Sequence, residues 1–222
     1  PLEIIPTGVL TDERASKADA EPGVSVNFGI TPTMNAAFTA NPDFAQVEAD
    51  QLVLTVNQRY PIFYDEKRPF FLEGIVAFQT PINLSHTRTI VDPDYALKLT
   101  GRYGRTTLGV LYADDGADGA KKGAFRLKRD FGRESTMGAT MTTIEDGETV
   151  SRLVSADARM RLSDQTVLTA QIAGSFADVP FRDVLFGGSR QRYGRGLGYY
   201  AKLERRGRHV ATALTASGSS TD

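Results

Sequence analysis

Apolar and polar residues alternate with a period of two along most of this chain, and clusters of turn residues interrupt the alternation. Val24, Val26, Phe28 and Ile30 alternate with Ser25, Asn27 and Gly29; Thr31-Pro32-Thr33 turns the chain, and Met34, Ala36 and Phe38 resume the pattern. From Tyr95 onward the chain reads as successive hairpins. Tyr95, Leu97, Leu99 and Gly101 fall on one side, Lys98 and Thr100 on the other, and Gly104-Arg105 leads back through Leu108, Val110 and Tyr112. Phe125 and Leu127 alternate with Arg126, Lys128 and Asp130, and Ser135 to Ile144 returns to a turn at Glu145-Asp146-Gly147-Glu148. Val154, Ala156, Ala158, Met160 and Leu162 then oppose Ser155, Asp157, Arg159 and Arg161. Leu168, Ala170, Ile172 and Phe176 oppose Thr169, Gln171 and Ser175, and a last hairpin joins Leu197–Arg206 to Val210–Ser217. Leu2 to Leu10 contains Pro6, which suits an edge or a bulge better than a central strand. Thr11–Gly23, Ala113–Gly123 and Ala177–Gly196 read as loops. The pattern predicts an all-β antiparallel meander of about eleven strands, with no helical segment of comparable strength. No 20- to 50-residue repeat marks a propeller or solenoid.

One stretch breaks the pattern. Asn41 to Gly74, NPDFAQVEADQLVLTVNQRYPIFYDEKRPFFLEG, follows neither a strand nor a helix period, and the irregularity runs on to about Pro93. A connection this long inside a compact domain is uncommon and usually functional. Glu66-Lys67-Arg68 stands beside the aromatic anchor Pro69-Phe70-Phe71, and Pro61 and Pro69 favour extended or turn geometry. If desolvated, the acids Glu48, Asp50, Glu66 and Glu73 need cations such as Arg59, Lys67, Arg68 or strand arginines. The segment is therefore expected to lie inside a barrel as a lumenal plug or constriction. Its candidate residues are Asn41, Pro42, Asp43, Phe44, Glu48, Asp50, Glu66, Lys67, Arg68, Pro69, Phe70, Phe71, Glu73 and Gly74. The plainer alternative is that it only braces the wall.

Alternation alone does not separate a soluble sandwich from a membrane barrel. The polar faces here carry long charges in succession: Arg126, Lys128 and Asp130; Asp157, Arg159 and Arg161; Lys202, Glu204 and Arg206. The apolar faces are rich in Ala, Gly, Thr and Leu, with Tyr95, Tyr112, Phe176 and Tyr199 toward strand ends, and tryptophan is absent. A wet charged lumen, a thin apolar band and aromatic girdles describe a transmembrane barrel. Arg126, Lys128, Asp157, Arg159, Arg161, Lys202 and Glu204 are the expected lumen-facing charges, and outer-membrane lipid is the expected surrounding. A soluble β-sandwich binding module is the competing fold.

The balance of 26 basic and 27 acidic residues gives no reason to expect a nucleic-acid partner. With no cysteine and only His86 and His209, thiolate chemistry is excluded and a histidine-based zinc site is not expected. No run approaches a membrane helix in length, which leaves strand-built crossings untouched. The chain is expected to be a portion of a longer protein, whose barrel it does not close by itself.

NPDFAQVEAD (Asn41 to Asp50) followed by FYDEKRPFFLEG (Phe63 to Gly74) resembles the hallmark of a family of uncharacterised bacterial outer-membrane β-barrel proteins. Tyr64-Asp65 stands where that family commonly has Phe-Pro; ALKLTGRYGRTTLGVLYAD (Ala96 to Asp114), RDFG (Arg129 to Gly132) and AQIAGS (Ala170 to Ser175) resemble it more loosely. The resemblance implies an outer-membrane location in a Gram-negative bacterium. It also implies a barrel that usually follows a family 9 carbohydrate-binding domain, here outside the chain, so that a carbohydrate ligand would be bound by that missing N-terminal domain.

Other chemistries find less support. Asp43, Glu48 and Asp50 offer oxygens to calcium, but the spacing is not that of an EF-hand loop. Glu66 and Glu73 are a carboxylate pair of the kind glycosidases use, though their separation in space is not fixed by sequence. Gly187-Gly188-Ser189 and Gly194-Arg195-Gly196 lack the strand–helix context of a phosphate loop. No cofactor and no metal are expected, and no catalytic constellation stands out. The expected role is non-enzymatic passage or capture of a solute, with a glycan as one possibility. The alternative is a barrel that anchors a carbohydrate-binding or glycoside-hydrolase-like surface protein.

Overall fold

The computed structural model describes residues 2–11, 19–42, 65–117, 119–132, 134–182, 189–207 and 210–221. Among them the chain forms one antiparallel sheet of 11 strands in sequence order. The strands are β1 (Leu2–Thr11), β2 (Asp19–Thr31), β3 (Met34–Ala40), β4 (Pro93–Tyr103), β5 (Thr106–Asp115) and β6 (Ala120–Phe131). They continue as β7 (Ser135–Asp146), β8 (Thr149–Ser163), β9 (Thr166–Arg182), β10 (Ser189–Arg206) and β11 (Ala211–Thr221). Between β3 and β4 lie a single helical turn α1 (Pro69–Leu72) and the 3-10 turns Ile75–Phe78 and Thr87–Thr89. No helix among the described residues is long and apolar enough to cross a membrane, which says nothing about crossing by strands.

The meander expected from the alternation is present. Each hairpin register keeps the alternating residues of neighbouring strands on a common face, because the side-chain period of a strand is two. The sheet is not closed: among the described residues β1 pairs only with β2 and β11 only with β10. Pro6 lies in the edge strand β1, where its missing N–H is tolerated.

Strand extents differ from the expectation in three places. β2 begins at Asp19, so the second half of Thr11–Gly23 is paired with β1 and is not loop. β9 runs to Arg182 and β10 starts at Ser189, so most of Ala177–Gly196 is hydrogen-bonded ladder. β5 and β6 likewise extend into the stretch Ala113–Gly123. In each case a polar or glycine-rich sequence hides the strand, because backbone pairing with a neighbour outweighs low intrinsic strand propensity.

The two faces of the sheet differ in an unusual sense. One face presents apolar side chains that are left open: Leu97, Leu127, Met137, Val154, Ile172, Leu197 and Leu214 are all exposed. The other face presents polar and charged side chains that are buried, among them Thr39, Lys98, Thr100, Asp115, Lys122, Arg126, Thr140, Ser155 and Gln171. Residues 65–92 pack on this second face, and the small core sits between them and the sheet. Phe71, Ala77, Phe78 and Ile90 from the segment meet Ala96, Leu111 and Ala113 from β4 and β5. Ala96 and Ala113 are direct cross-strand partners, so the floor beneath the aromatic rings is built of the smallest apolar side chains.

Farther along the polar face, Arg126 is 1% exposed and meets Asp157 through both guanidinium nitrogens, one at 2.9 Å, while also donating to the Thr140 hydroxyl at 3.0 Å. Gly138 lies between them on β7, and a Cβ there would overlap the guanidinium. Gly138→Val is therefore expected to displace Arg126 and lower stability by about 1–3 kcal/mol. The midpoint of chemical unfolding checks this, and an unchanged midpoint would contradict the packing described.

Candidate functional site: the segment docked on the polar face

The sequence Glu66-Lys67-Arg68-Pro69 sets the geometry of the docked segment. Pro69 is the first residue of α1, where its fixed φ suits a helix start and its missing N–H goes unmissed. Arg68, just before it, is extended and turns its side chain back into the segment. Its Nε donates to Glu66 Oε1 at 2.9 Å and its Nη2 to Glu66 Oε2 at 2.8 Å, a bidentate pair. The same guanidinium donates to the carbonyls of Ile90 at 2.6 Å and Thr87 at 2.9 Å, and it stacks 4.3 Å from the centre of the Phe71 ring. Glu66 also accepts from the backbone N–H groups of Lys67 and Arg68 and from the Thr87 hydroxyl. One ion pair thus ties the start of the segment to its end.

Burial by itself would raise the Glu66 carboxyl; the hydrogen bonds from Arg68 and Thr87 outweigh it and hold the group below the ordinary glutamate range. Phe70 and Phe71 pack edge to face with centres 5.0 Å apart. After α1 the chain reverses at Gly74, whose φ of 71° lies in the left-handed region, and a Cβ there would overlap the Thr100 side chain.

Five side chains of the sheet hold the segment, four of them through its backbone. Lys98 on β4 donates to the carbonyls of Phe70 and Glu73, the latter at 2.7 Å, and its ammonium sits 4.8 Å from the Phe70 ring centre. Asp115 at the end of β5 accepts from the N–H groups of Val91 at 2.7 Å and Asp92 at 2.8 Å. Lys122 on β6 donates to Asp115 and to the Thr89 carbonyl, both at 2.6 Å. Gln171 on β9 accepts from the Ile82 N–H at 2.5 Å and donates to Ser155 at 3.2 Å. Asn35 on β3 adds a bond to the Glu73 carboxylate at 3.2 Å. The segment therefore spans the polar face from β3 to β9.

The sequence-based candidates fall into three groups. Glu66 and Arg68 join each other, Phe71 is buried, Phe70 is partly buried, Lys67 is exposed, Pro69 and Gly74 shape the backbone, and Glu73 meets Asn35. Asn41 donates through its side chain to the Pro22 carbonyl, and Pro42 is buried beside it. Asp43, Phe44, Glu48 and Asp50 lie outside the described residues, as do His209 and Gly187-Gly188. Of the strand charges, Arg126 and Asp157 pair with each other, and Lys128, Arg159, Arg161, Lys202 and Glu204 share their face. Of the cations expected to neutralise the segment's acids, Arg68 of the segment itself is the ion-pair partner of Glu66, and no strand arginine is. The anchors Lys98, Asp115, Lys122 and Gln171 were not singled out by sequence. Alternation assigns Lys98 and Gln171 to the polar face, but nothing local marks them off from a solvated lysine or glutamine.

The model of one protein family, described as a domain of unknown function (DUF5916), matches residues 5–93. The match takes in β1 from Ile5 onward, β2, β3 and the docked segment, and it ends where β4 begins. No curated protein and no solved structure matches the chain.

Arg68→Ala removes the bidentate partner of a buried carboxylate and the guanidinium donor to the Ile90 carbonyl, while the Thr87 carbonyl keeps the Ile90 N–H. A loss of about 3–5 kcal/mol is expected, read as a lowered unfolding midpoint and new proteolytic cleavage within 65–92. The Glu66 contribution has a defined pH sense. Its folded pKa is lowered, so the stabilisation is complete above the unfolded glutamate range, about pH 4.3. It is lost as pH falls through the lower folded value. Protease sensitivity of 65–92 should rise over that acid window, and Glu66→Gln should abolish this component of the pH dependence while weakening docking at neutral pH.

Proposed function

We propose that this chain is part of an outer-membrane β-barrel in which residues 65–92 plug or constrict a polar lumen, and that the whole protein passes or captures a solute. The observation that carries this reading is the inverted polarity of the sheet. Leu97, Met137, Ile172, Leu197 and Leu214 are 50–72% exposed, whereas Lys98, Asp115, Lys122 and Arg126 on the opposite face are 0–6% exposed. Water would favour the reverse arrangement, and a continuous apolar face of this extent is foreign to a soluble monomer. Lipid around the apolar face resolves the conflict.

Two further features support it. Asp114, Lys121 and Glu145 form a charged cross-strand row on the apolar face at one end of the strands, as expected where a lipid-facing band gives way to water. The antiparallel meander is compatible with a barrel, and the resemblance of Asn41–Gly74 to outer-membrane barrel proteins favours the membrane location. On this reading the remaining wall is supplied by strands beyond β1 and β11.

β3 and β4 are adjacent antiparallel strands, and Asn41 and Asp94 are already joined by a backbone hydrogen bond of 2.8 Å. Residues 43–92 can therefore be replaced by a short turn without removing any of the eleven described strands. In planar bilayers the full-length protein is expected to conduct weakly and the shortened variant to show a large, steady conductance. If both insert and neither conducts, passage is refuted and the barrel serves as an anchor. If the protein is a stable monomer in plain buffer, the membrane reading itself fails.

A further inference from the structure

We propose that the part of the lumen beside the docked segment selects anions, with small carboxylates and phosphates as its solute class, an inference that rests on the passage reading above. The polar face continues past the segment toward the short-turn end of the sheet. Lys128, Gly138, Asp157, Gln171 and Tyr200 are cross-strand partners in one row, and Arg159, Thr169 and Lys202 form the next. Arg161, Val167 and Glu204 form a third. Successive same-face positions along a strand are about 6.6 Å apart, less than the Debye length of about 8 Å at physiological salt. Arg159 and Arg161 on β8 are spaced in this way and their fields overlap, while Lys128 and Lys202 stand two strands to either side.

The acids nearby are already engaged. Asp157 is held by Arg126 in a pair whose side chains are 1% and 6% exposed. Glu134 and Asp164 both lie on Arg161, at 2.5 and 3.6 Å, and Asp130 lies on Arg102 at 2.7 Å. Glu204 is shared by Lys202 at 3.0 Å and Arg206 at 3.9 Å, and it also feels the charge of Arg159. Lys128 and Arg159 remain with no ion-pair partner among the described residues. Both stand on the polar face, one half-buried and one exposed. A lumen lined this way raises the local concentration of anions and repels cations.

Reversal potentials of the full-length protein and of the variant lacking 43–92, measured across a potassium chloride gradient, test the idea. Chloride is expected to permeate in preference to potassium. Lys128→Glu combined with Arg159→Glu should lower the chloride-to-potassium permeability ratio several-fold, and Lys128→Gln with Arg159→Gln should lower it less; the milder pair guards against misfolding by charge reversal. Inorganic phosphate added to one side should reduce the chloride current, and less so in the charge-reversed variant. Cation preference, absence of preference, or a ratio indifferent to both double variants overturns the anion assignment while leaving passage intact. Absence of conductance in both native and shortened protein overturns passage itself, and this inference with it.

Discussion

Every ionic group taken out of water on the polar face has to find its compensation inside the protein, and the docked segment follows from that constraint. Lys98, Asp115, Lys122 and Arg126 are all nearly inaccessible. An unpaired buried charge costs several kcal/mol, more than most single contacts return. Asp115 and Lys122 answer each other, and Arg126 is answered by Asp157. Lys98 is answered by the carbonyls of Phe70 and Glu73, which the segment presents because α1 and the turn at Gly74 leave them unpaired. The wall and the segment thus complete each other's hydrogen bonding.

The same constraint explains why the contacts fall on backbone groups more than on side chains. A segment without long secondary structure carries many N–H and C=O groups that ladders would otherwise satisfy. Asp115 takes two such N–H groups at Val91 and Asp92, Lys122 takes the Thr89 carbonyl, and Gln171 takes the Ile82 N–H. Arg68 collects the carbonyls of Ile90 and Thr87 from within. The apolar contribution is small by comparison, since Phe71, Phe78 and Ile90 rest on a floor of Ala96, Ala113 and Leu111. Retention of the segment is therefore mainly electrostatic.

Much of the fold was legible in the chain. Period-two alternation with turn residues at Pro32-Thr33, Gly104-Arg105 and Asp164-Gln165 located the hairpins, and the alternation named which residues share a face. Strand ends were less legible at Asp19–Gly23, Ala177–Arg182 and Ser189–Gly196, where glycine, proline and charge mask extended ladders. Of the site, Glu66, Arg68, Phe70 and Phe71 could be picked out as an odd cluster of charge and aromatics. Their partners on the wall could not, because Lys98 and Lys122 are separated from the segment by sequence distances that no local period encodes.

The sequence by itself determined the sheet: a strand's side-chain period is a local property, so composition and order sufficed to predict an all-β meander with one polar and one apolar face. Composition pointed to the charged face as the one the segment would meet, and only the tertiary structure decided which contacts cover it. Alternation alone is symmetric between inside and outside, and the asymmetry is realised when residues 65–92 fold onto the charged face and leave the leucines, methionines and aromatics of the other face open. It also decided that Arg68 turns inward to Glu66 while Lys67, its neighbour, stays at the surface. That choice depends on carbonyls contributed by Thr87 and Ile90, which reach Arg68 only after the chain has closed its loop.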